Sequence, residues 1–445
     1  MKRWASSVFI ASYLACCIAL GGSAQNPWTN LALQLGGIAL IGWAAIVGNP
    51  GQKKRISAIN LLIICALLLV MVQLVPLPVN IWTRLPAREE IVRGLSTLGY
   101  PLRPLPIAEM PHEAVLALFS MIPAIASFIA VERLSPSPLY IAAAIVGGMI
   151  AAIFVGALQV ASGPNSWAYF YEIHNSGAIG FFANSNHMGT LFLVAIPMAA
   201  ALIVSGQSKR RKSRAARYAI GFSIAVLIAV GIVLNGSRAA LGLSVPVIIA
   251  SAAIFHATAR WRGLLLGASL ISLIAGIGII VGNPIASPEF STSNSASVGI
   301  RGEVWRTTLR AISDNFPVGT GLASFANVYH HYENPDQVGA FYVNHAHNEY
   351  LELALELGLG GVLLILFFLA WWTKITVRVW ASAYSSAFGR AATIATAAVI
   401  VHSAVDFPVR TAAISSIFAA CIALMAQSAG PSTDSFSSKR HLVLG

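Results

Sequence analysis

The sequence predicts an all-α polytopic membrane protein of about twelve transmembrane helices. The composition is 57% hydrophobic and only 10% charged, and the mean hydropathy is +0.74. Twelve apolar stretches each approach the roughly 20 residues that a helix needs to cross a bilayer. A soluble domain carries roughly 25% charged residues, so a soluble multidomain enzyme, a disordered chain and a secreted disulfide scaffold are excluded. A formal net charge of +12 would suggest nucleic acid in a soluble protein. In a membrane protein the placement of basic residues carries the information, and no nucleic-acid partner is expected.

The stretches cover about 4–22, 28–48, 56–75, 113–133, 138–161, 187–206, 218–234, 239–256, 263–282, 349–373, 391–408 and 411–428. They read as helices because lipid leaves no partner for an unpaired backbone group. The chain is one integral membrane domain, 1–445, with outer loops at 76–112 and 283–348 and a cytoplasmic tail at 429–445. No internal repeat is evident. With Lys2 and Arg3 inside and strict alternation, 19 of 28 basic residues face the cytoplasm, every lysine among them. The outer nine are all arginine: Arg84, Arg88, Arg93, Arg103, Arg238, Arg301, Arg306, Arg310 and Arg410. Only Glu132 and Asp434 of the 16 acids fall inside. Both termini are therefore expected in the cytoplasm. Gly22-Ser23-Ala24 would suit signal-peptide cleavage, but the first stretch reads better as a retained span. Cys16, Cys17, Cys65 and Cys421 lie within spans as packing residues, without metal or disulfide spacing.

The first outer loop is proline-rich around an amphipathic stretch, Arg88–Leu98, which reads as an interfacial helix. The second carries the chemistry. A Ser/Asn-rich piece (Ser287–Ser297), expected to be flexible, leads into Arg301, Trp305 and Arg306 on an amphipathic helix-like run to Asn315. A Pro317/Gly319/Gly321 turn follows, and then Asn344-His345-Ala346-His347-Asn348-Glu349 at the mouth of the tenth span. Arg238 lies in a short outer turn after Gly236-Ser237. An arginine there either snorkels to the interface or grips a phosphate through paired hydrogen bonds.

Glu349, Glu352 and Glu356 form a stripe running roughly 10 Å into the bilayer at 1.5 Å per residue. Ionisable groups within a span mark function by default. For Glu352 and Glu356, pairing with His402 and Asp406 is the favoured reading, and His347 at the aqueous end is better placed for chemistry. His345 reads as structural. Asn184, Asn186 and His187, at the outer end of the sixth span, either hydrogen-bond a substrate or cap the helix. His174 is a weaker candidate.

These residues resemble the O-antigen ligase/polymerase superfamily of bacterial inner-membrane glycosyltransferases. The most specific match is His347-Asn348, nine residues, Gly358, two residues, Gly361. Gly319-Thr320-Gly321, Ser237-Arg238, Arg301 with Trp305, Phe182–His187 and His402–Pro408 are also similar, so the likeness spans about 140–428. It implies a GT-C-like enzyme that uses no metal or other cofactor and works at the periplasmic face. The donor would be an undecaprenyl-pyrophosphate-linked glycan. The acceptor would be lipid A-core in a ligase, the next lipid-linked repeat in an O-antigen or exopolysaccharide polymerase, or a pilin serine in protein-glycosylating relatives. Membrane lipids would surround it.

The family's essential arginines carry over to Arg238 and Arg301, and its histidine to His347. Guanidinium groups aimed at the diphosphate would stabilise the leaving charge. His347 would act as general base, with inversion at the anomeric carbon, and Glu349 would orient it or serve as base itself. Asn184, Asn186, His187, Trp305, Asn348 and Glu349 are the candidate substrate contacts. A lipid-linked oligosaccharide flippase is the rival from another class, but it would want cations along a cavity within the spans, and here they gather at one face. A non-catalytic scaffold has no feature in its favour.

Overall fold

A computed structural model describes residues 2–24, 26–48, 57–163, 165–171, 177–206, 214–256, 258–282, 288–338 and 342–429. His174 and all of the expected tail beyond Ala429 lie outside the described residues. The helices are α1 (Lys2–Leu20), α2 (Pro27–Val47), α3 (Ala58–Gln73), α4 (Val79–Trp82), α5 (Glu89–Thr97), α6 (Pro111–Ser120), α7 (Ile122–Leu134), α8 (Pro138–Ser162) and α9 (Ser185–Ser205). They continue as α10 (Arg214–Asn235), α11 (Arg238–Ala252), α12 (Ala259–Gly282), α13 (Pro288–Asn315), α14 (Phe325–Tyr332), α15 (Glu349–Ala381), α16 (Ala387–His402) and α17 (Ala412–Ser428). Among the described residues, extended pairing is limited to one isolated bridge, Leu77 with Leu105.

Among the described residues, seven segments are long and apolar enough to cross a membrane, and five shorter apolar helices accompany them. Together they account for the twelve predicted stretches, and the chain is a multi-pass membrane protein. The boundaries differ in informative places. The fourth stretch is broken between α6 and α7 at Met121, just before Pro123; a proline nitrogen cannot donate to the preceding turn. The eleventh ends at His402 rather than 408, which puts Asp406 on a turn. The Ser/Asn-rich piece expected to be flexible is helical from Pro288 onward, and proline at a helix start is favourable.

Helix α9 is the hub, with α8, α10, α11 and α16 packed around it. Small residues let these backbones approach, notably Ala195, Ala199 and Ala201 of α9 and Ala391, Ala395 and Ala398 of α16, all buried. Helix α1 belongs to this core: Ile10, Leu14, Cys17 and Ile18 are buried, and Gly22 lies against the backbone of Phe181 and Phe182. Cys17 and Cys421 pack inside as expected, whereas Cys16 and Cys65 are exposed on the outside of the bundle.

The amphipathic stretch of the first loop is α5, none of whose side chains is buried. Beside it Arg88 is buried, donates to the Ile107 carbonyl and lies 3.7 Å from Glu109. Burial pulls the Arg88 pKa down and pushes that of Glu109 up, while each charge partly offsets the shift of the other. The Glu109 N–H donates to the Thr320 carbonyl at 2.8 Å, which ties the first long loop to the second.

Helix α15 is interrupted at Gly358 (φ 58°, ψ −144°). The break frees carbonyls, and distant segments satisfy them. Thr320 N–H donates to Leu355 O (3.1 Å) and Gly321 N–H to Glu356 O (2.8 Å), while Leu359 N–H reaches Pro317 O at 2.9 Å. Gln73 Nε2 also donates to Glu356 O, at 3.0 Å. A Cβ on Gly358 would fall 2.2 Å from Pro317 O, and one on Gly319 2.6 Å from Gly358 N. The glycines of two separate sequence motifs thus serve one junction. Gly358→Ala is expected to lower stability by at least about 1–3 kcal/mol, the usual cost of such backbone strain. A fall in the melting temperature of the purified protein would register it. Gly242→Ala, in α11 with nothing within 4 Å of the added methyl, should not destabilise, because alanine is the better helix former.

Candidate active site

The site forms where α9, α11 and α15 begin, α16 ends, and the 403–411 segment turns back through a short 3-10 helix (Pro408–Arg410) into α17. His347 precedes α15 with φ 50°, a left-handed backbone that non-glycine residues rarely adopt. Asn348 closes the helix start by accepting from the N–H groups of Tyr350 and Leu351, both at 3.1 Å. That sharp turn aims the half-buried imidazole at the 403–411 segment. His347 Nδ1 meets Asp406 Oδ1 at 3.3 Å. Asp406 is fully buried and also accepts from the Phe407 N–H at 2.9 Å. Burial by itself would raise the Asp406 pKa, but the His347 hydrogen bond and the nearby His187 outweigh it and hold the carboxylate below its usual range.

Phe407 is a shared wall for three imidazoles. His345 stacks on it with ring centroids 4.0 Å apart, and His347 and His187 approach edge-on, each at 5.1 Å. His187 is buried with neither ring nitrogen partnered. His402 pairs through Nδ1 with Thr190 Oγ1 at 2.9 Å.

The glutamate stripe is bound up in its own network. Glu349 accepts from Ser403 Oγ (3.1 Å) and Val409 N–H (2.9 Å). Glu352 meets His345 Nδ1 at 2.8 Å and Arg410 Nη2 at 3.1 Å, and accepts from Ala346 N–H at 3.1 Å. The same Arg410 nitrogen donates to Glu356 Oε2 at 2.9 Å. The expected pairing of Glu352 and Glu356 with His402 and Asp406 is therefore corrected to Arg410 and His345. The reason is the early end of α16, which lets the chain loop back and insert Arg410 beside the stripe. Burial works against the Arg410 charge, but Glu352 and Glu356 more than offset it and hold the guanidinium protonated. Asp406, not Glu349, is the carboxylate that meets His347.

The two arginines begin from elements that border this site. Ser237, the N-cap of α11, donates to Asn186 Oδ1 at 2.6 Å, so Arg238 starts its helix beside the start of α9. It is exposed. Arg301 is half-buried on α13 and lies within electrostatic reach of His402. Trp305, one turn on, donates from Nε1 to Ala346 O at 2.9 Å, which fixes α13 to the segment carrying His347. Asn184 accepts from Asn186 N–H at 2.8 Å as the N-cap of α9, so the capping reading fits it. Among the described residues no three His, Cys, Asp or Glu side chains converge to hold a metal ion.

Asp406, Phe407 and Arg410 are the residues that sequence reasoning undervalued. An acid, an aromatic and an arginine within an otherwise apolar stretch were the available signal.

No characterised protein was found to match the chain. Residues 223–366 match the family model described as O-antigen ligase. The matched stretch holds Arg238, Arg301, Trp305, His347, Asn348, Glu349, Gly358 and Gly361, and stops short of Asp406 and Arg410. That match, over residues 223–366, supports the resemblance to the O-antigen ligase superfamily.

Proposed function

We propose that the protein transfers a glycan from an undecaprenyl-pyrophosphate carrier to an acceptor hydroxyl at the periplasmic face of the bacterial inner membrane, and that the acceptor is lipid A-core. The description of the matching family favours ligation over polymerisation of repeats. The observation that carries the catalytic reading is the His347–Asp406 pair. A buried carboxylate accepting from Nδ1–H fixes the tautomer that leaves a lone pair on Nε2, the arrangement a general base needs.

Nε2 takes the acceptor's hydroxyl proton as that oxygen attacks the anomeric carbon from the face opposite the leaving group. The bond from carbon to phosphate oxygen breaks, its electron pair stays on the diphosphate, and the configuration inverts. Arg238 and Arg301 form no ion pair with a described carboxylate; the arginines that do are Arg88, Arg306 and Arg410. The guanidiniums of Arg238 and Arg301 are thus available to the diphosphate, where such a contact contributes about 3–4 kcal/mol to lowering the barrier. GT-C-like architecture and cytoplasmic termini belong to the same reading, which the outer clustering of arginine supports.

The test is the product. Loss of the gene should leave lipid A-core unsubstituted while full-length carrier-linked glycan accumulates. Accumulation of single repeats would assign a polymerase instead. Arg238→Lys and Arg301→Lys keep the charge but lose the forked contact, so each should still lower transfer by about tenfold or more, read as initial rates in proteoliposomes.

A further inference from the structure

Two buried arginines play no part in the site above. Arg262, in the first turn of α12, and Arg390, in the first turn of α16, are each 9% exposed. Both helices pack against the short 3-10 turn Ala253–Phe255, and the two guanidiniums lie within electrostatic reach of each other. Neither forms an ion pair with a described carboxylate; Arg88, Arg306 and Arg410 are the arginines that do. Arg390 Nη2 donates to the Ser382 carbonyl at 3.1 Å, and its guanidinium carbon lies 5.7 Å from the Trp380 ring centroid. The Nε atoms of both arginines are buried and unpartnered.

This is an expensive arrangement without a counter-ion. Two cations repel at short range, burial removes the water that would screen them, and each stands at a helix N-terminus where the backbone dipole is already positive. An anion bound between them would be attracted by both guanidiniums and by the two helix dipoles, and that attraction would offset the repulsion and the cost of burial. Carboxylates are scarce at this end of the bundle: the sequence supplies Glu132, which accepts from Asn60, and Asp434. Exposed Phe255, Trp261 and Leu264 flank the pair, an apolar surface that suits acyl chains beside a headgroup. Arg390 and His402 are twelve residues apart on α16, roughly 18 Å at 1.5 Å per residue, so this place is separate from the candidate active site.

We propose that the first turns of α12 and α16 form a phosphate-binding site in which Arg262 and Arg390 together grip one phosphate mono- or diester, presented by an anionic phospholipid headgroup. Forked guanidinium donors match phosphate oxygens, and basic pockets between helices are a known mode of headgroup recognition. In the orientation proposed above, the lipid comes from the cytoplasmic leaflet.

The full-length protein, delipidated in neutral detergent, would be given phosphatidylglycerol, phosphatidylcholine or inorganic phosphate. Retained ligand is read by native mass spectrometry and stability by the melting temperature. The expected result is retention of phosphatidylglycerol with a raised melting temperature, no such effect of phosphatidylcholine, and loss of retention by about tenfold or more in Arg262→Gln and Arg390→Gln, the worth of one charge-assisted hydrogen bond. Arg390→Lys should be intermediate, and it preserves the test where the Gln variant does not fold. Competition by inorganic phosphate supports the shared chemistry, and full stabilisation by phosphate alone, with nothing added by lipid, assigns the free ion as its source. Equal retention of the two lipids by the wild type, or unchanged retention in both Gln variants, overturns the proposal. So does a wild type that binds nothing while Asp434→Asn binds, because the tail carboxylate would then be the counter-ion.

Discussion

His347→Ala is expected to lower glycan transfer by about 10²–10⁴-fold, the usual contribution of a positioned general base. The loss should fall on kcat, because the imidazole acts on the acceptor proton in the transition state and contributes little to holding the donor. Rates in proteoliposomes with purified donor and acceptor would separate the two parameters. Asp406→Asn should also cut kcat severely with little change in KM. An amide can present its N–H to Nδ1, which stabilises the tautomer with the proton on Nε2 and removes the base. Asp406 is a positioning residue here: its described hydrogen bonds go to His347 and the Phe407 N–H, so Asp406→Glu, which keeps the carboxylate, should recover part of the rate. Wild-type turnover in His347→Ala would remove the imidazole from the mechanism. Equal rates in Asp406→Asn and wild type would leave His347 as base but deny it a partner.

The second large effect is on stability. Arg410→Ala should destabilise the protein by about 3–5 kcal/mol, the range seen when one partner of a buried ion pair is deleted. Glu352 and Glu356 are 1% and 0% exposed, and a single Arg410 nitrogen serves both carboxylates. Without it, Glu356 would lose its partner and Glu352 would keep only His345 and the Ala346 N–H. The melting temperature in detergent and the yield in the membrane should both fall. Adding Glu352→Gln and Glu356→Gln to Arg410→Ala should restore much of the loss, because the triple variant buries neutral amides. A triple variant no better than Arg410→Ala alone would mean that Arg410 acts through packing rather than charge.

What was legible in the sequence was local. Apolar runs announce a helix because lipid leaves the backbone no other solution, and each of the twelve stretches is helical. The His347–Gly358 spacing was legible as a pattern, but its cause was not. Gly358 is required by Pro317, 41 residues earlier, whose carbonyl would collide with any side chain there. The same limit explains the site. His347 and Asp406 are 59 positions apart, and Arg410 and Glu356 are 54 apart. No periodicity encodes such pairings, which depend on where α16 stops. Reading the eleventh span through to 408 hid Asp406 inside a helix and so separated it from His347. The Ser/Asn-rich segment misled differently. Its composition is that of a loop, and the helix there extends the strongly packed run around Val304 and Ala311.

The Glu352–Arg410–Glu356 bridge also bears on how the chain is made. The two carboxylates leave the ribosome 58 and 54 residues before their guanidinium partner, an interval of several seconds at ordinary rates of synthesis. Throughout that interval the first turns of α15 carry acids that hydrocarbon will not accept. Their descent to final depth must wait for the hairpin of α16 and α17 to follow. The arrival of Arg410 is therefore a late event in biogenesis, and a nascent chain truncated before it should remain open to proteolysis at the beginning of α15.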